Sequence, residues 1–245
     1  MTDLERAKWL AEKTNQQPGN IPGFPCGECL NRGYIVHVDD TGRRYTTECR
    51  CMARRRSEKI MEQSGLSELL TRYTMENWEC REPWQRNVLN LAQEWVANPS
   101  GWFFLAGTPG TGKTHLCVAL CGILMDRGMG CRYMLWRDIS VRAKAVVNDE
   151  VEYQKIVAPL KRVKVLYIDD LFKTGKGQAP TTGDINLAFE ILNARYNDTR
   201  LVTVLSSELT IDRILELDEA VGSRIYERSK GHYIDLTGRK NWRLS

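Results

Sequence analysis

The chain has 245 residues, 42% of them hydrophobic and 27% charged, with a net charge of +4. That is the balance of a globular protein with one large domain, or a medium domain plus a small one. Its apolar runs are too short to cross a bilayer and its opening, MTDLERAKWLAEK, is charged and amphipathic, so a membrane span and a signal peptide are both excluded and a cytoplasmic location is expected.

In chain order, residues 2–16 have the pattern of a short helix with Trp9 and Leu10 on one face, and Pro18-Gly19-Asn20-Ile21-Pro22-Gly23 separates it from a cysteine region over 24–53. Eight cysteines in a reducing compartment point to metal or to packing, not to disulfides. Cys26-Gly27-Glu28-Cys29 and Cys49-Arg50-Cys51 form two close pairs, and four thiolates complete a tetrahedral zinc shell. Between the pairs, residues 34–38, a turn at 39–42 and residues 43–47 read as a hairpin. One residue between Cys49 and Cys51 is tighter than usual, which leaves His37 open as a replacement ligand. So small a module needs a staple, so the zinc is read as structural. Arg43, Arg44, Arg50, Arg54, Arg55, Arg56 and Lys59 against Glu48 and Glu58 make a local basic patch suited to phosphate or an acidic partner. A helical pattern runs from Met52 to about Leu70, then an aromatic segment from Arg72 to Trp78, then a helix from Pro83 to about Asn98. Cys80, Cys117, Cys121 and Cys131 are scattered and read as packing residues.

The next feature is Gly107-Thr108-Pro109-Gly110-Thr111-Gly112-Lys113-Thr114. Its glycines let backbone N–H groups wrap a polyphosphate, Lys113 supplies a charge for the β- and γ-phosphates, and the Thr114 hydroxyl is placed to ligate magnesium. An apolar run at 101–106 precedes it and a helical pattern at 113–127 comes after it, so phosphate would lie at a helix N-terminus. Further strand-like runs fall at 131–136, 163–168, 201–206 and 232–236, with helical segments at 138–158, 184–198 and 209–228. This alternation predicts an α/β fold, a parallel sheet sandwiched by helices. The run Val165-Leu166-Tyr167-Ile168-Asp169-Asp170 ends in two carboxylates. It is expected to be the strand beside the P-loop strand, with Asp169 in the magnesium shell and Asp170 orienting or deprotonating the attacking water. The next strand ends in Ser206-Ser207-Glu208, a polar end suited to the γ-phosphate or the water. Arg224 and Arg228 lie one turn apart on a helix opened by Gly222-Ser223, and an arginine reaching across a subunit boundary stabilises charge on the transferring phosphoryl group.

Taken together, the P-loop at 107–114, the Asp169-Asp170 strand end, Ser206-Ser207-Glu208 and the Ser223-Arg224 box resemble an AAA+ ATPase. With the cysteine module in front, the set is similar to the DnaC/DnaI-type replicative helicase loaders, including phage and prophage versions. The resemblance implies a two-part chain: residues 1–70 as a zinc-bearing module that contacts the helicase, and 71–245 as the ATPase domain. It implies ATP, Mg2+ and Zn2+ as cofactors, and a hexameric replicative helicase, single-stranded DNA and further copies of the chain as partners. It also implies no C-terminal helical lid, for which the nine residues after 236 leave no room. Hydrolysis is then expected to be slow and switch-like, with Lys113, Asp169, Asp170, Ser206, Arg224 and Arg228 in the catalytic set. Asp170 stands where many AAA+ ATPases carry glutamate, and Glu208 where a sensor asparagine is common, leaving Ser206 or Ser207 as the sensor. Two rivals are an IstB-like transposition helper, which shares the ATPase core, and a zinc-dependent DNA-binding protein with a nucleotide-gated switch, whose basic run at 43–59 reads phosphates directly.

Overall fold

The N-terminal residues form a helix, a hairpin and a second helix around the clustered cysteines. The structure, a computed structural model, describes residues 1–63, 67–175 and 177–244. Helix α1 (Asp3–Asn15) begins with a capping box in which Thr2 and Glu5 satisfy each other's backbone N–H groups. At its far end the Asn15 amide copies a strand edge: Nδ2 donates to Val36 O at 2.8 Å and Oδ1 accepts from Val36 N at 3.0 Å. That seats α1 on the open side of β1 (Tyr34–Val38), which pairs antiparallel with β2 (Arg44–Glu48). Helices α2 (Cys51–Gln63) and α3 (Ser67–Arg72) fall on the helical pattern expected over 52–70, of which residues 64–66 lie outside the described residues.

Next come α4 (Pro83–Ala97), β3 (Trp102–Gly107), α5 (Lys113–Asp126), β4 (Cys131–Leu135), α6 (Trp136–Ala145), α7 (Glu150–Arg162) and β5 (Val165–Asp169). They are followed by α8 (Thr182–Asn197), β6 (Val202–Ser207), α9 (Ile211–Leu217), α10 (Glu219–Arg228) and β7 (Tyr233–Leu236). A short 3-10 turn closes the described chain at Trp242–Leu244. Strands β3 to β7 form one parallel sheet in the order β4-β5-β6-β3-β7. Side chains alternate across it as a strand requires. Phe103 and Leu105 join the core on one face with residues of α4 and α5, while Trp102, Phe104 and Ala106 join the core on the other with residues of α6 to α10. Both faces are thus covered, as the alternation of strands and helices requires.

Three expectations need correction. The Asp169 strand is not beside the P-loop strand: β6 lies between β5 and β3, which brings Ser206 to the middle of the site. The helix expected over 138–158 is two, because Asp149 leaves the helix and caps α7, its carboxylate accepting from Glu152 N at 3.1 Å. The helix expected over 209–228 is also two, since Asp218 has extended backbone, ends α9 and caps α10 through Val221 N at 2.8 Å.

The two parts of the chain touch along α2. Ser57, buried on that helix, accepts from the backbone N–H of Cys131 at 2.8 Å, so α2 covers the start of the outermost strand β4. Arg54 pairs with Asp126 at the end of α5, and Leu70 of α3 packs at 3.8 Å from where a Gly122 side chain would begin.

Candidate nucleotide site and cysteine centre

At the end of β3 the chain must reverse tightly before α5 begins. Gly107, Gly110 and Gly112 take φ values of +125°, +77° and +93°, a region open to glycine and strained for other residues. All three are also crowded: a Cβ on Gly107 would stand 2.4 Å from the Leu236 backbone, one on Gly112 would stand 2.6 Å from the Trp78 ring, and one on Gly110 would stand 1.8 Å from the Asn241 side-chain oxygen. Gly112 precedes α5 in a left-handed conformation with no side-chain cap, so the first N–H groups of α5 stay available to an anion. Lys113 folds back along the loop, its Nζ donating to Gly107 O at 2.7 Å and Thr108 O at 2.8 Å. Burial pulls its pKa down, against the opposing charges of Asp170 and Glu208. Thr111 is buried, with its hydroxyl on Thr108 O at 3.0 Å.

A cavity of about 270 Å³ opens beside this loop, lined by Pro109, Gly110, Gly112, Lys113 and Thr114 and faced by Asp170, Lys173 and Glu208. Asp169 lies buried behind the lining residue Thr114, and three hydroxyls converge on its carboxylate. Thr114 Oγ1 donates at 3.3 Å, Tyr133 donates at 3.2 Å and Ser206 donates in close contact. Burial and the neighbouring carboxylates push the Tyr133 pKa up, so its hydroxyl stays a proton donor. Adjacent oxygens of a magnesium octahedron stand about 3 Å apart, which the Thr114–Asp169 spacing fits. Ser206 also accepts from the Asp170 backbone N–H at 3.1 Å, so one buried hydroxyl holds both acids. Asp170 itself has φ +53°, and burial, then the charge of Asp169, pushes its pKa up. Ser207, the other sensor candidate, points away and donates to Leu171 O at 2.7 Å. Lys173 and Glu208 form an ion pair at the cavity rim.

A second cavity of about 390 Å³ adjoins the loop on the side of Trp78, lined also by Arg72, Asn77, Gln85 and His115. His115 stacks on Tyr73 with ring centroids 4.7 Å apart and meets Trp78 edge-on at 5.4 Å. The sequence reading missed Tyr73, Trp78, His115 and Lys173, and also Trp242 and Arg243, which line the 270 Å³ cavity. The aromatic run at 72–78 was the one available signal. Neither Arg224 nor Arg228 lines that cavity. Arg224, on α10, packs against α8, its Nε donating to Asn193 Oδ1 at 3.0 Å and its guanidinium over the Phe189 ring at 4.9 Å.

The cysteine centre forms where the 26–33 turn meets the start of α2. The sulfurs of Cys26, Cys29, Cys49 and Cys51 all lie within 4.8 Å of one another. Cys26 and Cys49 are 3.8 Å apart and Cys29 and Cys51 3.5 Å, close to the roughly 3.8 Å edge of a zinc–sulfur tetrahedron. The tight Cys49–Cys51 spacing works because Cys49 ends the hairpin and Cys51 opens α2. Burial opposes ionisation of Cys29, yet the Gly33 N–H and the neighbouring thiols lower its pKa to about 7. Burial raises Cys49 and Cys51. The four thiols suit zinc. His37 stands outside the cluster, bonded to Thr47 at 2.7 Å and stacked on Tyr45 at 5.2 Å.

The basic patch is largely spent within the fold. Arg50 pairs with Glu28 at 2.9 Å, Arg54 with Glu58 at 2.8 Å and with Asp126, and Arg56 with Glu48 at 2.5 Å. Arg55 reaches back to Phe24 O at 2.8 Å and Asn31 Oδ1 at 3.0 Å, tying the cysteine turn to α2. Among the described residues, Arg43, Arg44 and Lys59 form no ion pair and remain for a ligand.

Residues 46–233 match the model of the IstB-like ATP binding protein family. The chain belongs to that family. Among relatives of this IstB-like chain is the uncharacterized protein YqaM of Bacillus subtilis (strain 168), 30% identical over 209 residues, or 79% of this chain and 64% of YqaM. The phage-like element PBSX protein XkdC of the same strain is 28% identical over 95% of this chain and 89% of its own. The replicative helicase loader DnaC of Escherichia coli (strain K12) is 24% identical over 71% of this chain and 69% of its own. A crystal structure of the DnaC helicase loader superposes with a TM-score of 0.54 at 19% identity, covering 69% of this chain and 97% of that one, which shows the fold. The IstB-like match begins within the hairpin, so Cys26 and Cys29 lie ahead of it. Among the described residues no helix is long and apolar enough to cross a membrane.

Proposed function

We propose that this protein is an ATP-dependent loader that places a hexameric replicative DNA helicase on single-stranded DNA, with ATP binding and slow hydrolysis acting as a state switch. The observation that carries the proposal is the cysteine module held against the ATPase sheet through α2, by Ser57 on Cys131 and Arg54 on Asp126. A partner gripped by residues 1–70 would thereby sense the ATPase body, residues 71–245. XkdC, a phage-element protein similar over nearly the whole chain, and the loader DnaC support the same reading.

In this reading the P-loop and Lys113 hold the phosphates, Thr114 and Asp169 hold magnesium, which supplies positive charge, and zinc is held by the four cysteines. Ser206 fixes Asp169 and Asp170, and Asp170 orients the water. Arg224, or Arg228 one turn on, acts on a neighbouring copy's nucleotide, in keeping with neither residue lining its own chain's cavity.

A transposition helper remains the second reading, favoured by the family match itself. It gives no role to the cysteine turn ahead of the matched residues. The direct DNA-reading alternative is weakened by the internal pairing of Arg50, Arg54 and Arg56.

Co-purification separates the readings. Tagged protein mixed with the replicative helicase of its host cell is expected to elute as a complex that the Cys29→Ser variant fails to form. Capture of a transposase in place of the helicase would overturn the loader reading.

A further inference from the structure

After β7 the chain does not leave the site but crosses it. Thr108 Oγ1 donates to Arg239 O at 3.2 Å, tying the first residues of this strap to the P-loop. Asn241 then sits where a Gly110 side chain would be, and its Oδ1 accepts from Arg243 N at 3.0 Å, closing the 3-10 turn. Trp242 N donates to Gly110 O at 3.0 Å, a backbone bond between strap and loop. The Trp242 ring lies beside the cations Lys240 and Arg81, at 4.6 and 5.3 Å, and lines both cavities that flank the loop.

Charge says what this strap is for. The cavity over Lys113 is lined by three cations, Lys113, Lys173 and Arg243, and by two carboxylates, Asp170 and Glu208. Lys173 and Glu208 neutralise each other, and Lys113 faces Asp170. Without Arg243 the lining would be balanced, a poor host for a polyanion. With it the cavity is net positive. Arg243 is exposed, pairs with no carboxylate among the described residues, and has a planar fork of donors suited to phosphate oxygens.

We propose that the strap is part of the nucleotide site and that Arg243 contacts the polyphosphate in its own chain, with Trp242 anchoring the strap to the P-loop. This rests on the nucleotide-site reading above. Because Asn241 and Trp242 are seated on Gly110, the arginine is positioned by the same loop that wraps the phosphates, and strap and ligand bind the loop together.

The test measures affinity for MgATP and for inorganic tripolyphosphate, which lacks the base, in the full chain. Arg243→Gln is expected to weaken both about tenfold, with Arg243→Lys recovering part of the loss. Thermal stability without ligand should be unchanged, since the side chain is exposed, while the stabilisation by MgATP shrinks. Lys113→Ala serves as the reference and should lose binding. If Arg243→Gln binds both ligands as wild type does while Lys113→Ala does not, the strap is not a ligand. Tighter binding by Arg243→Gln would make the strap a competing cover and overturn the proposal. If Lys113→Ala binds normally, the nucleotide-site reading itself fails.

Discussion

Ser206 has no charge, yet its hydroxyl donates to Asp169 while accepting from the Asp170 backbone. A hydrogen bond to a charged group is worth about 1.5–3 kcal/mol, so its loss would release one acid and loosen the other. Ser206→Ala is expected to slow ATP turnover about ten- to a hundredfold while leaving nucleotide affinity within a few-fold of wild type. Steady-state ATPase assays beside a fluorescent-nucleotide titration would check this, and unchanged turnover would remove Ser206 from the site. From the sequence the sensor could be Ser206 or Ser207, with Ser206 placed in the catalytic set. They differ because neighbouring side chains on a strand face opposite ways, and the facing of β6 depends on strand order, which composition does not reveal. The P-loop was legible for the opposite reason: its glycines, Lys113 and Thr114 satisfy a local geometry that needs no partner from elsewhere.

At the scale of elements, α2 links metal to sheet. It opens at Cys51 in the cysteine centre and, two turns on, covers β4 through Ser57. Purified protein is expected to carry one zinc per chain, and chelation should release it, unfold the hairpin and leave ATP binding intact. Amide exchange adds a sharper readout, because β4 should lose protection as α2 comes free, at Cys131 above all. Metal analysis without zinc, or chelation that leaves β4 protected, would refute this link. The sequence revealed the four cysteines but not the fate of the arginines between and after them. Asp126 and Phe24 are distant in sequence from Arg54 and Arg55, so a charge count along the chain reads a patch where the fold makes ties. Helix breaks were missed for a related reason. Asp149 and Asp218 fit a helical pattern by spacing, and only as caps do they stop it.

For the whole molecule, the alternation of strands and helices predicted a covered parallel sheet, and the structure has one. The insertion of β6 between β3 and β5 was not legible, because strand order is set by crossover connections and not by local pattern. Nor was the strap: Arg239, Lys240, Asn241, Trp242 and Arg243 carry no periodicity, and their place beside the P-loop shows only once Asn241 and Trp242 lie on Gly110. The cysteine module is joined to the sheet through α2, the link on which the proposed coupling of helicase contact to ATP depends. The most direct test of that coupling is loading of the host replicative helicase onto circular single-stranded DNA, read as helicase retained on the circle. Wild-type protein with ATP is predicted to raise the retained helicase above the helicase-alone level, and Lys113→Ala and Cys29→Ser are predicted to fail for different reasons, the first binding helicase without loading it and the second not binding it. Retention at the helicase-alone level with the wild-type protein and ATP, or equal retention with all three proteins, would contradict the account.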